Sequence, residues 1–149
     1  MKNQKKILIL HGPNLNFLGK RETHIYGDKT QAELFVSVID YIKKYDPEAT
    51  PICFQSNSEG AIIDYLYQNV RNFDAIIFNL AGYTHTSVAL RDCLLGIKEN
   101  KVYVEVHLTN PDKREEFRKT NYFRDIVQFY ACGEGINSYF KAVDFLFKN

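Results

Sequence analysis

Short apolar runs alternate with longer amphipathic stretches along the whole chain, and this alternation restricts it to few fold classes. Five runs rich in β-branched or aromatic residues have the length of buried strands and occupy residues 6–10, 52–55, 75–78, 102–106 and 126–131. Four stretches show helical spacing and occupy residues 30–45, 58–71, 87–98 and 135–147. Strands that alternate with helices predict an α/β domain with a parallel sheet.

The first helical stretch has the clearest boundaries. Thr30 is a suitable N-cap, Leu34, Val38 and Ile42 share one side, and Asp46-Pro47 is a plausible stop. The chain has no repeat or linker, so at 149 residues we expect a single domain of residues 1–149. The expected architecture is a flavodoxin-like three-layer sandwich, a five-stranded parallel sheet with helices on both faces. Ligands of such sheets bind at the carboxyl ends of the strands.

Charge and hydropathy exclude several classes of partner. With 19 Lys+Arg against 18 Asp+Glu, the chain lacks the basic field that binds nucleic acid. The longest apolar runs, such as residues 7–10 and 75–78, fall far short of the roughly 20 residues of a membrane span. Residues 11–14, His-Gly-Pro-Asn, end the first run before a signal-peptide core forms. We therefore expect a cytoplasmic protein without nucleic-acid or membrane partners.

The cysteines show no sign of a disulfide or metal site, and the usual nucleotide-binding motifs are missing. Cys53, Cys93 and Cys132 are isolated and show no paired spacing, which predicts reduced thiols. The chain has no Walker A loop, no G-x-G-x-x-G after the first strand and no nucleophile elbow. A nucleotide cofactor is therefore not expected.

A metal site is not expected either, although four side chains have suitable chemistry. His85, Asp92, Glu105 and His107 are able to bind a metal ion, but they do not form a compact ligand motif such as H-E-x-x-H. Their geometry decides between a metal site and separate roles.

The segment after the first strand, residues 11–27, is long for a connection in a compact domain. Its glycines and Pro13 favour turns, and Asn14, Arg21 and Tyr26 supply groups that make directed hydrogen bonds. The segment has the features of a lid over a site. The alternative is a solvated loop in which Arg21 and Tyr26 have no function.

Two further segments carry polar residues at predicted strand ends. Asn79 ends the third run, and His85 precedes a helix start where Ser87 is able to cap and free N–H groups are able to bind an anion. In the fourth run, alternation puts Glu105 and His107 on one face, as in an oriented general acid or a structural ion pair.

Beyond the fourth run, Arg114 and Arg118 are spaced to share one side of a predicted short helix. One or both arginines are placed to reach an anionic substrate. The alternative is an ordinary solvated face.

Taken together, these segments resemble the type II 3-dehydroquinate dehydratases over nearly the whole chain. The matching segments are residues 12–16, 21–27, 54–60, 83–92, 105–107 and 116–118. The resemblance implies a flavodoxin-like fold and a cofactor-free dehydration of 3-dehydroquinate to 3-dehydroshikimate in the shikimate pathway. Six motifs in the expected order are far more specific than one.

The resemblance also implies roles for individual residues. Tyr26 matches the base, Arg21 its activator, Asn14 part of the enolate site, and His107, held by Glu105, the acid. The residues that match substrate-binding positions are Asn79, His85, Arg118 and the backbone N–H groups of Leu108 and Thr109. Asp92 matches an acid that reaches the site of a neighbouring subunit, and the family's assembly implies a dodecamer built from trimers.

The chain departs from the usual family pattern at His11, where asparagine is usual, at Leu80, where proline is common, and at residues 111–113. Two alternatives to the enzyme stay open at this point. One is an inactive flavodoxin-like module that binds a small molecule. The other is a metal-dependent hydrolase that uses His85, His107 and Glu105.

Overall fold

A computed structural model of the protein describes residues 5–148. Within this range the strands are β1 (Lys6–His11), β2 (Thr50–Gln55), β3 (Ala75–Asn79), β4 (Val102–His107) and β5 (Phe129–Cys132). The α-helices are α1 (Thr23–Tyr26), α2 (Gln31–Tyr45), α3 (Glu59–Gln68), α4 (Val88–Gly96) and α5 (Ile136–Lys148). The remaining helical segments are short 3-10 turns.

All strand pairs are parallel, and the strand order is β2-β1-β3-β4-β5. This is the flavodoxin-like order that the alternation predicts. The order reverses between β1 and β3, which pair with His11 opposite Asn79 at their carboxyl ends. The fold therefore opens a crevice next to these two residues.

Successive residues of each strand enter two separate cores, one on each face of the sheet. Ile7, Ile9 and Ile77 pack with helices α2 and α5, whereas Leu8 and Ile76 pack with α3 and α4. Burial of each large aliphatic side chain contributes about 1.5–3 kcal/mol to the free energy of unfolding. Because helices cover both faces of the sheet, the strand sequences are continuous apolar runs.

The helix starts agree with the sequence. Thr30 and Glu33 form a reciprocal capping box at α2, and Ser58 and Ser87 cap α3 and α4 through their hydroxyl oxygens. Helix α3 ends at Gln68 rather than at Arg71, because the chain tightens into a 3-10 turn over Val70–Asn72.

Two predictions about the last third of the chain are wrong in detail. The fifth strand starts at Phe129, since Arg124–Ile126 forms a 3-10 turn whose Ile126 is buried for packing. Arg114 and Arg118 do not share a helix. Arg114 is extended between two 3-10 turns, Pro111–Lys113 and Glu116–Lys119.

The cysteines are free thiols, and burial raises the pKa of Cys53 to about 11. Within residues 5–148, none of the helices has both the length and the apolar character that a membrane crossing requires.

Candidate active site

A cavity opens at the carboxyl ends of β1, β3 and β4, beside the point where the strand order reverses. Its volume is about 140 Å³. The predicted site residues that line it are Asn14, Arg21, Tyr26, Asn79, His85, His107, Leu108, Thr109 and Arg118. Nine predicted residues from distant parts of the sequence are thus brought together.

A close backbone contact between two loops shapes the cavity floor. The amide of Gly12 donates to the carbonyl oxygen of Asn79 over 2.8 Å. A Cβ at Gly12 would lie 2.4 Å from the carbonyl oxygen of Leu80, so only glycine allows this approach. The segment then reaches Asn14, whose φ of 71° is left-handed and whose amide donates to Oδ1 of Asn57 over 2.9 Å.

The segment after β1 forms two helical turns, Leu15–Phe17 and α1, rather than a continuous irregular loop. Leu15 and Leu18 are buried in the core, which anchors the first half of the segment. Arg21 and Tyr26 in the second half face the cavity. The lid motion stays a prediction.

Tyr26 lies between two guanidinium groups. The Cζ atom of Arg21 is 4.3 Å from the centre of the Tyr26 ring, and that of Arg114 is 5.2 Å away. Two positively charged side chains therefore lie next to the Tyr26 ring, at the distance of a cation–π contact.

His107 is held by a buried carboxylate. Nε2 of His107 is 2.6 Å from Oε2 of Glu105, and the same oxygen accepts from Nδ2 of Asn121 over 2.8 Å. The Oδ1 atom of Asn121 accepts the amides of Phe123 and Arg124, which fixes its amide orientation. The pair therefore has one orientation, and Nδ1 is the His107 nitrogen left for a ligand.

His85 is fixed by the backbone on the opposite wall. Its Nδ1 donates to the carbonyl oxygen of Thr120 over 2.6 Å. Burial lowers the pKa of His85 below its ordinary value, and the positive charge of Arg118 acts in the same direction. His85 thus offers a neutral Nε2 to the cavity at neutral pH.

Arg118 and Arg114 share one carboxylate. Nε of Arg118 donates to Oε1 of Glu115 over 2.8 Å, and Nε of Arg114 lies 3.7 Å from the same oxygen. The hydrogen bond from Arg118 lowers the pKa of Glu115 to about 2, so the carboxylate stays ionised. Together with Arg21, these groups make the cavity suitable for an anionic ligand.

Two predicted residues lie outside the cavity lining. Glu105 is fully buried and is hydrogen-bonded to His107. Asp92 is exposed on α4, on the same helix side as the exposed Val88 and Leu95. Asp92 therefore contributes nothing to the cavity of its own chain.

The structure offers no cluster for a metal ion in residues 5–148. No three His, Cys, Asp or Glu side chains there lie close enough to hold one. His107 and Glu105 bind each other, and His85 is held by the backbone instead.

Comparison with known proteins identifies the family. A model of the family described as Dehydroquinase class II matches residues 5–147. The chain belongs to the type II dehydroquinase family. It resembles a 3-dehydroquinate dehydratase of Haemophilus ducreyi, with 47% identity over 95% of this chain and 95% of the relative.

Relatives with a different name are equally similar. A catabolic 3-dehydroquinase of Botryotinia fuckeliana is 45% identical over 94% of this chain and 90% of its own length. The crystal structure of a type II dehydroquinase from Butyrivibrio crossotus superposes with a TM-score of 0.89 and 39% identity, covering 96% of this chain and 97% of that one. Membership in the type II dehydroquinase family and the flavodoxin-like fold are thus confirmed.

Sequence reasoning gave three supporting residues of this type II dehydroquinase no assigned role. The sequence indicates Arg114 only as one of two arginines able to reach an anion, and it indicates no role for Asn121 or Tyr139. Asn121 binds Glu105 and Tyr139 binds Asn79 across long sequence separations. Their residue types carry no signal, because only the fold brings them to their partners.

Proposed function

We propose that this chain dehydrates 3-dehydroquinate to 3-dehydroshikimate, a step of the shikimate pathway, without a cofactor. One observation carries the proposal. A tyrosine between two guanidiniums and a histidine backed by a buried carboxylate line the same cavity. The names and the similarity of the relatives support it.

The reaction removes a proton from the carbon next to a ketone, and the proposed base is the Tyr26 phenolate. An ordinary phenol has a pKa of about 10 and is mostly protonated at neutral pH. Arg21 is the proposed activator because its guanidinium contacts the Tyr26 ring. Arg114 adds a second positive charge on the same ring.

Proton removal leaves an enolate oxygen, and Asn14 is the proposed group near which its charge rests. Asn14 lines the cavity on the same segment as Arg21. Groups that are already oriented stabilise charge developing in a transition state without further reorganisation. The hydrogen bond that the backbone N–H of Asn14 donates to Oδ1 of Asn57 holds this segment in place.

The departing hydroxyl leaves as water after it receives a proton from His107. The proposed donor is Nδ1, since Nε2 is held by Glu105. The hydrogen bond to Glu105 fixes the orientation of the imidazole ring that donates the proton. The leaving hydroxyl and the His107 proton form the water molecule. Tyr26 then holds the proton taken from the substrate, and proton exchange with solvent returns Tyr26 to the phenolate and His107 to the imidazolium before the next turnover.

The other cavity residues are proposed to hold the substrate. Asn79, His85 and Arg118 supply hydrogen bonds for ring hydroxyls, and the backbone N–H groups of Leu108 and Thr109 supply a cradle for the carboxylate. All five line the cavity, and its arginines favour an anionic acid.

Asp92 is proposed to complete the site of a neighbouring subunit. Its exposed position on α4, away from its own cavity, is consistent with that role. We propose a homo-oligomer built from trimers, with the dodecamer as the final assembly.

To test the proposal, purified protein is treated with chelator and mixed with 3-dehydroquinate. The ultraviolet absorbance of the conjugated enone product is then followed over time. We expect a rising signal with the wild type, loss of that signal in Tyr26→Phe, and normal activity in Tyr45→Phe. Tyr45 is an exposed tyrosine on α2, so it controls for loss of a phenol oxygen elsewhere.

Each other outcome contradicts a defined part of the proposal. Calorimetric binding without turnover in the wild type would indicate the inactive binding module. Turnover that chelation abolishes would indicate a metal-dependent enzyme, and active Tyr26→Phe would remove Tyr26 as the base. Absence of both binding and turnover would overturn the proposed substrate.

A further inference from the structure

A chain of buried hydrogen bonds runs behind the cavity on the α2/α5 face of the sheet. The Nδ1 atom of His11 is 2.9 Å from Oε1 of Gln31, and its Nε2 is 2.9 Å from the hydroxyl of Tyr139. The hydroxyl oxygen of Tyr139 accepts from Nδ2 of Asn79 over 3.2 Å. His11 and Tyr139 are fully buried, and Asn79 is 4% exposed.

The direction of every bond in this chain is determined. The Tyr139 hydroxyl receives a bond from the Asn79 amide, so its own hydrogen goes to His11, the other partner within reach. His11 must then accept at Nε2 and donate from Nδ1 to Gln31. Burial lowers the pKa of His11 to about 4, which keeps this tautomer neutral.

The side-chain amide of Asn79 is held at both ends. The hydrogen-bond chain holds its Nδ2 atom through Tyr139, and a backbone N–H holds its Oδ1 atom. The amide of Ala81 donates to Oδ1 of Asn79 over 3.1 Å, so the two ends of the side-chain amide cannot exchange. One N–H of Nδ2 is used by Tyr139. The remaining N–H is the donor that Asn79, which lines the cavity, keeps for a ligand.

We propose that His11 and Tyr139 are positioning residues that orient the Asn79 amide, so that this wall presents one hydrogen-bond donor to a hydroxyl oxygen of the substrate. The inference rests on the proposed function, in which Asn79 binds a ring hydroxyl. Such a contact is made equally before and during the reaction, so its loss raises KM more than it lowers kcat.

The central test is steady-state kinetics of Tyr139→Phe with 3-dehydroquinate. This variant keeps the ring in the core and removes the hydroxyl that orients Asn79. We expect KM to rise about five- to tenfold, with kcat within about twofold of wild type. In the Asn79→Ala background, Tyr139→Phe should raise KM no further, because the residue that it orients is gone. If Tyr139→Phe raises KM by the same factor in the Asn79→Ala background as in the wild type, the proposal is overturned.

Tyr103→Phe is the matched control. Tyr103 is also fully buried, and its hydroxyl donates to the carbonyl oxygen of Leu94 over 2.6 Å, on the other face of the sheet. The Tyr103→Phe variant should lose stability as Tyr139→Phe does, but its KM should equal that of the wild type. An equal rise of KM in both variants would show general loosening and contradict a positioning role.

His11 provides a rescue arm. His11→Leu fills much of the space but offers no acceptor to Tyr139, and KM should rise as in Tyr139→Phe. His11→Asn retains a donor and an acceptor and should recover most of the wild-type KM. Equal KM values in the two variants would contradict the role of the hydrogen bond.

Activity of the wild type distinguishes failure of this inference from failure of the proposed function. Wild-type protein that does not dehydrate 3-dehydroquinate overturns the function, whereas active wild type with an unchanged KM in Tyr139→Phe overturns only the positioning. The contact itself is tested by urea midpoints of Tyr139→Phe, Asn79→Ala and the double variant. We expect non-additive shifts, and additive shifts would overturn the hydrogen-bond chain whatever the substrate.

Discussion

At the scale of the residue, the site consists of ordinary side chains, each held next to a particular charged or buried group. Tyr26 lies against two guanidiniums, His107 is bonded to a buried carboxylate, and His85 loses basicity through burial. None of these changes requires an unusual residue. Each requires a neighbour at a particular distance, which the fold supplies.

Arg21→Ala should nearly abolish turnover, since it removes the nearer positive charge from the Tyr26 ring. We expect kcat to fall at least about 100-fold, the lower end for losing general-base catalysis, while substrate binding measured by calorimetry weakens less. Arg71→Ala is the control, because Arg71 is an exposed arginine in the turn after α3. Arg21→Ala with nearly wild-type kcat would rule out the proposed activation.

His11 should make the stability of the protein depend on pH. Its folded pKa of about 4 lies below the ordinary value of 6.5, so the unfolded chain takes up a proton first as pH falls. Stability is therefore full above pH 6.5 and declines toward pH 4, by at most about 3 kcal/mol for this group.

Urea unfolding at pH 7.5 and pH 4.5 measures this effect. The loss of unfolding free energy between the two pH values should be smaller in His11→Asn than in the wild type. The other titrating groups are common to both proteins and cancel in the difference. The same loss in both proteins would show that His11 is not held neutral in the core.

At the scale of the element, most of the architecture is readable from hydrophobic period and capping residues. The five strands, the four long helices and the caps at Thr30 and Ser87 follow from local patterns. The errors lie where apolar or charged residues serve tertiary packing. Ile126 is buried without being in a strand, and Arg114 leaves helical geometry between two turns.

The site is partly predictable for the same reason. Strand ends bring Asn79, Glu105 and His107 to one edge of a parallel sheet, and their sequence positions already indicate this. The contacts of Asn121 with Glu105 and of Tyr139 with His11 depend on how separate elements pack. No local pattern encodes such contacts, so a single sequence does not reveal them.

Gly12→Ala should disturb the turn between β3 and α4. The added methyl group would lie 2.4 Å from the carbonyl oxygen of Leu80, and this backbone cannot move without shifting the segment that carries His85. We expect unfolding free energy to fall by about 1–3 kcal/mol, as for overpacked sites, together with a lower kcat/KM.

Gly60→Ala is the control for Gly12→Ala. Gly60 lies in α3, where an added Cβ has its nearest neighbour at 4.0 Å, so alanine should leave activity unchanged and stabilise the helix. Thermal unfolding and kinetics of both variants decide the matter. Unchanged stability in Gly12→Ala would show that the two loops are free to separate.

At the scale of the whole molecule, the exposed side of α4 is the surface we expect to bury in the oligomer. Val88 and Leu95 are 50% and 42% exposed, and Asp92 lies between them. We predict that Val88→Asp dissociates the assembly and lowers kcat/KM, because an interface core does not accept an unpaired carboxylate.

Val36→Asp should leave the assembly intact, since Val36 is similarly exposed, at 57%, but lies on α2 on the other side of the sheet. Sedimentation velocity of both variants and the wild type provides the measurement. A wild type that sediments as a monomer at assay concentration would remove both the oligomer and the role of Asp92 in a neighbouring site.

The cavity draws its two walls from opposite faces of the sheet. Glu105 is on the α3/α4 face with Tyr103, whereas Asn79 reaches Tyr139 on the α2/α5 face. If the packing of either core loosens, the Glu105 side of the cavity shifts relative to the Asn79 side while most of the fold remains intact. We therefore expect enzymatic activity to decline on heating or in denaturant before circular dichroism detects unfolding.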